Sequence, residues 1–195
     1  MSDTTSENRT PKSEKTKYRL ARSMQKCMET TPVDDITVRQ IVEQCDLTRQ
    51  TFYRNFLDKY DLINWYFDKL LAESFVHMGS GETVYEGLIR KFDYIKKEQV
   101  FFSAAFRSDD QNSLKQHDFE EIFAFYSDLI QKKTGYPPDK ELCFLLELYC
   151  QGSIYMTVKW VLGGMKTPTK TMARLLVASM PARLEKLFRE LEIHS

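Results

Sequence analysis

Apolar side chains recur every three or four residues along almost the whole chain, and no stretch of any length alternates as a half-buried strand would. Breaks in that period divide the chain into helical segments. The first runs from about Lys12 to Thr30, with Tyr18, Ala21, Met24, Gln25 and Met28 spaced for burial, and Thr31-Pro32-Val33-Asp34-Asp35 ends it. Two short helices follow within residues 37 to 57, and a fourth starts at Asp58 and carries Leu62, Ile63, Trp65, Tyr66, Leu70 and Phe75. Met78-Gly79-Ser80-Gly81 interrupts the pattern and marks a boundary. Five further segments occupy about 82–97, 99–107, 113–134, 138–163 and 168–193, separated most clearly at Tyr136-Pro137-Pro138 and at Gly163-Gly164 with Pro168. The expected fold is all-α, with about nine helices and no internal repeat.

The two short helices carry the densest local signals. Thr37 suits an N-cap with Gln40 as its capping-box partner, and Ile36 can close a hydrophobic staple on Ile41. Val38, Ile41, Val42 and Cys45 follow the spacing of one buried helical face. The break falls at Cys45-Asp46-Leu47, where Asp46 is a type that tolerates a left-handed conformation. Thr48 can cap the next helix, with Leu47 and Phe52 as a second staple. That helix buries Phe52 and Phe56 and leaves Arg49, Gln50, Tyr53 and Arg54 outside. Asp58 caps the fourth helix, with Leu57 and Leu62 as a third staple and Asp61 at the third helical position.

Two capped helices across a tight turn describe a helix-turn-helix. The major groove admits one helix, and side chains near its N-terminus read base edges. Arg49 matches guanine and Gln50 adenine in bidentate geometry, and Thr51 offers a hydroxyl or methyl contact. Tyr53, Arg54 and Asn55 suit phosphates. An ordinary αα-hairpin with a solvated polar face would show the same periodicity.

Charge adds to this picture. Net charge is zero, so the molecule as a whole is no polyelectrolyte binder. Yet Arg9, Lys12, Lys15, Lys17, Arg19, Arg22 and Lys26 face the single acid Glu14 between residues 9 and 26. Such a basic arm beside the reader would attract phosphate in a salt-sensitive way; a solvated, fraying terminus is the plainer alternative. Residues 1–11 are polar and without periodicity, and are expected to be a disordered arm. They lack a secretory signal, and no apolar run reaches about twenty residues, so a cytoplasmic protein is expected. Cys27, Cys45, Cys143 and Cys150 form no C-x-x-C pair and read as thiols on apolar helical faces.

Thr37, Ile41, the run Thr48-Arg49-Gln50-Thr51-Phe52-Tyr53, Phe56 and Asp58-Lys59 stand in an order and spacing that resembles the DNA-binding domain of the TetR family of bacterial transcriptional regulators. The likeness covers about residues 12 to 75. Asp46 departs from it, since the family usually has glycine there. Arg49 to Tyr53 with Trp65 further resembles a subgroup that includes dihydroxyacetone-kinase regulators. The resemblance implies a division into residues 12–75, which bind DNA, and 76–195, a helical effector-binding and dimerisation domain. It also implies that Thr37, Thr48, Arg49, Gln50, Thr51, Tyr53, Arg54, Asn55 and Lys59 contact DNA, Lys59 approaching a phosphate. The last two helices would pair with their copies across a two-fold axis, giving a homodimer on a palindromic operator.

Aromatic residues crowd the middle of the chain. Phe102, Phe106, Phe123, Tyr149 and Trp160 are candidates for an effector cavity, with Arg90, Asp93 and His117 as polar contacts, although aromatics at helical spacing are commonly plain core. Two regulatory modes are open: an unknown small-molecule effector, or a partner protein docked on the second half. An enzyme is not expected. His77, His117 and His194 are scattered, and neither G-x-S-x-G nor a glycine-rich phosphate loop occurs. No cofactor and no metal are expected.

Overall fold

The computed structural model describes residues 12–75, 78, 82–108 and 114–194. The expected disordered arm, residues 1–11, lies outside the described residues, as do Gly79, Ser80 and Gly81 of the expected boundary. Ten α-helices are present among the described residues: α1 Lys12–Met28, α2 Val38–Glu43, α3 Arg49–Tyr53, α4 Lys59–Phe75, α5 Val84–Lys97, α6 Gln99–Ala105, α7 Leu114–Thr134, α8 Lys140–Leu162, α9 Thr169–Ala178 and α10 Ala182–Glu190. A 3₁₀ turn, Val33–Asp35, precedes α2. The described residues contain no strand, and no helix is long and apolar enough to cross a membrane.

The all-α fold is as expected, and one segment differs. The apolar period over 168–193 predicts a single helix, but the chain breaks after Ala178 and resumes at Ala182. Pro181 has no N–H to donate and disfavours the helical region for Met180, so the ladder cannot run through. The apolar period survives because Leu184 and Phe188 of α10 still reach the core, both fully buried. The chain then returns to α5, where Ile193 accepts a 2.7 Å hydrogen bond from the Val84 N–H.

α1 packs on α2 and α4, α2 on α3, and α1 also meets α6. α4 leaves this group to pack on α5 and α7, α7 lies along α8, and α9 lies along α5. Core residues from all ten helices form one contiguous cluster. α5 comes close to the end of α4 at Gly87, where a Cβ would meet the flexible tip of Met78 and crowd Phe75. The third staple does not form. Leu57 is 84% exposed, and its N–H instead donates to Asp61 Oδ2 at 2.8 Å. Asp58 caps α4 as expected, accepting from the N–H groups of Tyr60 and Asp61.

One ion pair is sealed in the core. Lys91 Nζ of α5 donates to Asp118 Oδ1 of α7 at 2.9 Å, with the side chains 6% and 0% exposed. Removing one partner leaves the other charge buried and unpaired, which typically costs about 3–5 kcal/mol, while a well-packed apolar pair is near neutral. Asp118→Ala should therefore lower unfolding free energy by about 3–5 kcal/mol in denaturant titrations, and Lys91→Met combined with Asp118→Leu should restore most of the loss.

Candidate nucleic-acid interface and inter-helix cleft

The reader is assembled from local signals. Thr37 closes a full capping box with Gln40, and Ile36 and Ile41 are buried beneath it. Asp46 takes φ 49°, the left-handed turn that lets α3 leave α2 sharply. Thr48 Oγ1 accepts from the Thr51 N–H at 3.1 Å and caps α3. Phe52 and Phe56 are buried on the inner face, and Phe56 meets Trp65 of α4 edge to face.

α1 fixes the motif from behind. The Ser23 hydroxyl donates to the Ile41 carbonyl, and Arg19 Nη2 donates to the Cys45 carbonyl at 2.7 Å. Lys17 Nζ lies over the rings of Phe56 and Trp65. Part of the expected basic arm is therefore structural. Sequence spacing gives no sign of this, because the partners lie far along the chain.

The outer face of α3 is left open. Arg49, Gln50, Tyr53 and Arg54 are exposed, Tyr53 at 59%, and Arg49, Gln50 and Arg54 engage no partner among the described residues. Thr37 and Thr48 are exposed as well, but their hydroxyls serve as caps. Thr51 is half-buried, and its carbonyl accepts from Asn55 Nδ2 at 2.7 Å. Lys59 is the largest departure. Its ammonium donates to the carbonyls of Asp34 at 2.5 Å and Ile36 at 3.0 Å, anchoring α4 to the turn before α2. One of its three N–H groups remains for a phosphate.

Asp34 ties this turn to the second half of the chain. It accepts from the Tyr60 hydroxyl at 3.0 Å and from the Ser108 hydroxyl beyond α6 at 2.5 Å. Gln25 of α1 donates to Glu98 at 2.7 Å nearby.

A cleft of about 660 Å³ opens between α4 and α7. Leu71, Ala72, Phe75, Met78, Phe125 and Leu129 form its apolar wall, and Asp68, Glu121, Asp128, Lys132 and Lys133 its polar edge. This size lies within the range of small-molecule sites. A far smaller inner pocket, about 20 Å³, is lined by Lys91, Tyr149 and Ser153 among others.

A family model described as transcriptional regulator C-terminal region, of the TetR type, matches residues 82–181. The chain belongs to the TetR family of transcriptional regulators. No curated protein sequence matches it. Among solved structures, the dihydroxyacetone kinase operon activator DhaS is similar at a TM-score of 0.62 and 17% identity, over 92% of this chain and 98% of that one. The TetR family repressor AlkX from Dietzia sp. strain DQ12-45-1b, implicated in n-alkane biodegradation, is similar at 0.50 and 12%, over 90% and 95%. These two likenesses show the fold alone.

The aromatic candidates for an effector cavity in this TetR-family chain do not converge. Tyr149 lines the inner pocket, but Phe102 and Phe106 pack on each other, Phe123 sits against Phe119, and Trp160 lies edge-on to Phe92. The Trp160 indole N–H donates to the Thr167 carbonyl at 2.9 Å, fixing the turn after α8. These stripes fill the core, as aromatic residues at helical spacing commonly do. Of the polar candidates, Arg90 pairs with Glu82 and Asp93 is exposed, while His117 reaches Asp68 at the cleft. Of the cleft's apolar wall, Phe125 is among the mid-chain aromatics that the sequence offers for a cavity, whereas Leu71, Phe75 and Leu129 read as ordinary core positions.

Hydrogen bonding to Asp34 links stability to pH. The Ser108 hydroxyl, against the opposing effect of burial and with help from the Tyr60 hydroxyl and the Lys59 charge, holds the Asp34 carboxyl below its ordinary range. A depressed carboxyl contributes stability that is present above the unfolded value, near 3.9, and lost as pH falls through the lower folded value. Asp34→Asn should be less stable than wild type in urea titrations at about pH 6, and the gap should narrow below about pH 4.

Proposed function

We propose that this regulator binds a palindromic operator as a homodimer, through residues 12–75 of each copy, under the control of a small molecule bound where residues 76–195 meet the second half of α4. The observation that carries the reading is the capped α3, whose first turn presents Arg49 and Gln50 outward without internal partners. Arg49 and Gln50 read base edges. Tyr53, Arg54, Asn55 and the free N–H of Lys59 hold the backbone, with Thr37, Thr48 and Thr51 at the same surface.

An exposed apolar stripe on α8 supports the dimer. Phe144, Leu148, Tyr155 and Leu162 are 66%, 59%, 67% and 41% exposed and share one helical face. Gly152 lies on the same stripe, where a Cβ would meet nothing within 4 Å. A mid-helix glycine costs about 1 kcal/mol relative to alanine, a cost explained if a partner helix crosses there. Two copies so joined can present α3 to successive major grooves about 34 Å apart.

The α4–α7 cleft is the effector site of this reading. A ligand there wedges or draws together α4, the helix that carries the reader, and so couples effector and DNA affinities. The cleft's volume favours a small molecule over a docked protein.

Binding to DNA from upstream of the chain's own gene, titrated across salt, tests the reading. Tight, salt-sensitive binding at two copies per site is expected, and Arg49→Ala should change base preference by about 1–3 kcal/mol at one operator position. Tyr53→Ala should weaken all sequences alike. Failure to bind either that DNA or a random-sequence pool would defeat the proposal. Phe144→Glu with Leu148→Glu should sediment as a monomer and lose operator affinity; an unchanged sedimentation coefficient would remove α8 from the dimer interface.

A further inference from the structure

One end of the α4–α7 cleft has a chemistry unlike its apolar wall. His117 Nε2 lies 2.5 Å from Asp68 Oδ1, joining α7 to α4. Glu121 follows His117 by one helical turn on the same face of α7, and it lines the cleft with Asp68. One ligating atom from each of the three residues lies within 4.8 Å of the other two. The His117 ring is held edge-on by Phe67, with centroids 6.0 Å apart, so its direction is set by the core.

An ordinary ion pair needs only Asp68 and His117. Glu121 brings a second carboxylate to the same point, and it has no hydrogen-bond or ion-pair partner of its own among the described residues. Lys132 and Lys133 also line the cleft, but they lie just over three turns beyond Glu121 along α7. Two carboxylates drawn to one imidazole form a site whose mutual repulsion a dication would relieve.

We propose that Asp68, His117 and Glu121 form a binding site for a divalent first-row transition-metal ion, with Zn²⁺ as the representative ligand. An imidazole nitrogen with two carboxylate oxygens suits Zn²⁺ and its neighbours. Mg²⁺ and Ca²⁺ are disfavoured, because they ask for oxygen ligands throughout. The ion takes the place of the direct His117–Asp68 contact, and water from the cleft completes its coordination. It cross-links α4 to α7 whether or not the cleft also takes an organic effector, so the inference does not rest on that reading.

Calorimetric titration of the chelator-stripped full chain with ZnCl₂ and with MgCl₂, at about pH 7.5 so that the imidazole proton is easily displaced, tests the site. One Zn²⁺ per chain in the micromolar range is expected, with no Mg²⁺ binding and a thermal midpoint raised by Zn²⁺. Glu121→Gln alters an exposed side chain and should keep the fold while weakening Zn²⁺ at least tenfold. His117→Gln should abolish the site and the thermal shift. Zn²⁺ bound equally well by both variants, or by the wild type only at millimolar concentrations, would overturn the assignment.

Discussion

A single helix has to satisfy two packing environments at once, and the rest of the molecule is arranged around that constraint. α4 spans 17 residues, about 25 Å. Its first half closes the reader: Lys59 and Tyr60 fasten it to the turn before α2, and Trp65 lies against Phe56 and Tyr18. Its second half belongs to the other group. Phe67 meets Phe102, Phe75 stacks on Phe125, and Glu73 accepts from the Tyr94 hydroxyl. A dense core does not deform continuously, so displacement of one half of α4 is felt in the other. Asp34, held by both Tyr60 and Ser108, is a second tie between the same groups.

Features legible in the sequence are those whose causes lie within a few residues. The Thr37–Gln40 capping box, the Thr48 cap, the Asp58 cap and the left-handed Asp46 all depend on side chains that reach their own backbone neighbourhood, and the structure shows each one. Leu57 fails for the same kind of reason. Its backbone N–H finds Asp61, but its side chain has no wall to pack on, and a staple requires one. The break at Pro181 was also a local signal, masked because the apolar period continues across it. Non-local pairs left no trace in the sequence. Lys59 with the Asp34 carbonyl, Lys91 with Asp118, and Asp68 with His117 lie 25, 27 and 49 residues apart. Each was visible only as a charged residue on a helix.

Fold and regulatory outcome are separable here. Of the two solved structures compared, one is described as an operon activator and the other as a repressor, and both share this architecture. What a bound molecule does to transcription depends on which separation of the readers it favours, not on the presence of the readers. In the proposed function, that separation would be set where α4 meets α7, by the groups that line the cleft. A ligand with equal affinity for both separations would change nothing, however tightly it bound.

Charge placement bears on why a second copy would matter. The chain is neutral overall, and several cations nearest the reader already have internal duties: Arg19 on a carbonyl, Lys17 over two rings, Lys59 on two carbonyls and Arg39 on Glu43. Arg49 and Arg54 keep their guanidinium groups for DNA, and each phosphate contact supplies only a fraction of the total affinity. A single copy makes only one such set of contacts. Two readers fixed at the groove spacing turn the second contact into an intramolecular step, multiplying affinity without further charge. The same arrangement makes binding depend steeply on their separation, which is the quantity an effector between α4 and α7 would alter. In the proposed dimer, the exposed apolar stripe on α8 would therefore add to DNA affinity through geometry, alongside the charge that α3 presents.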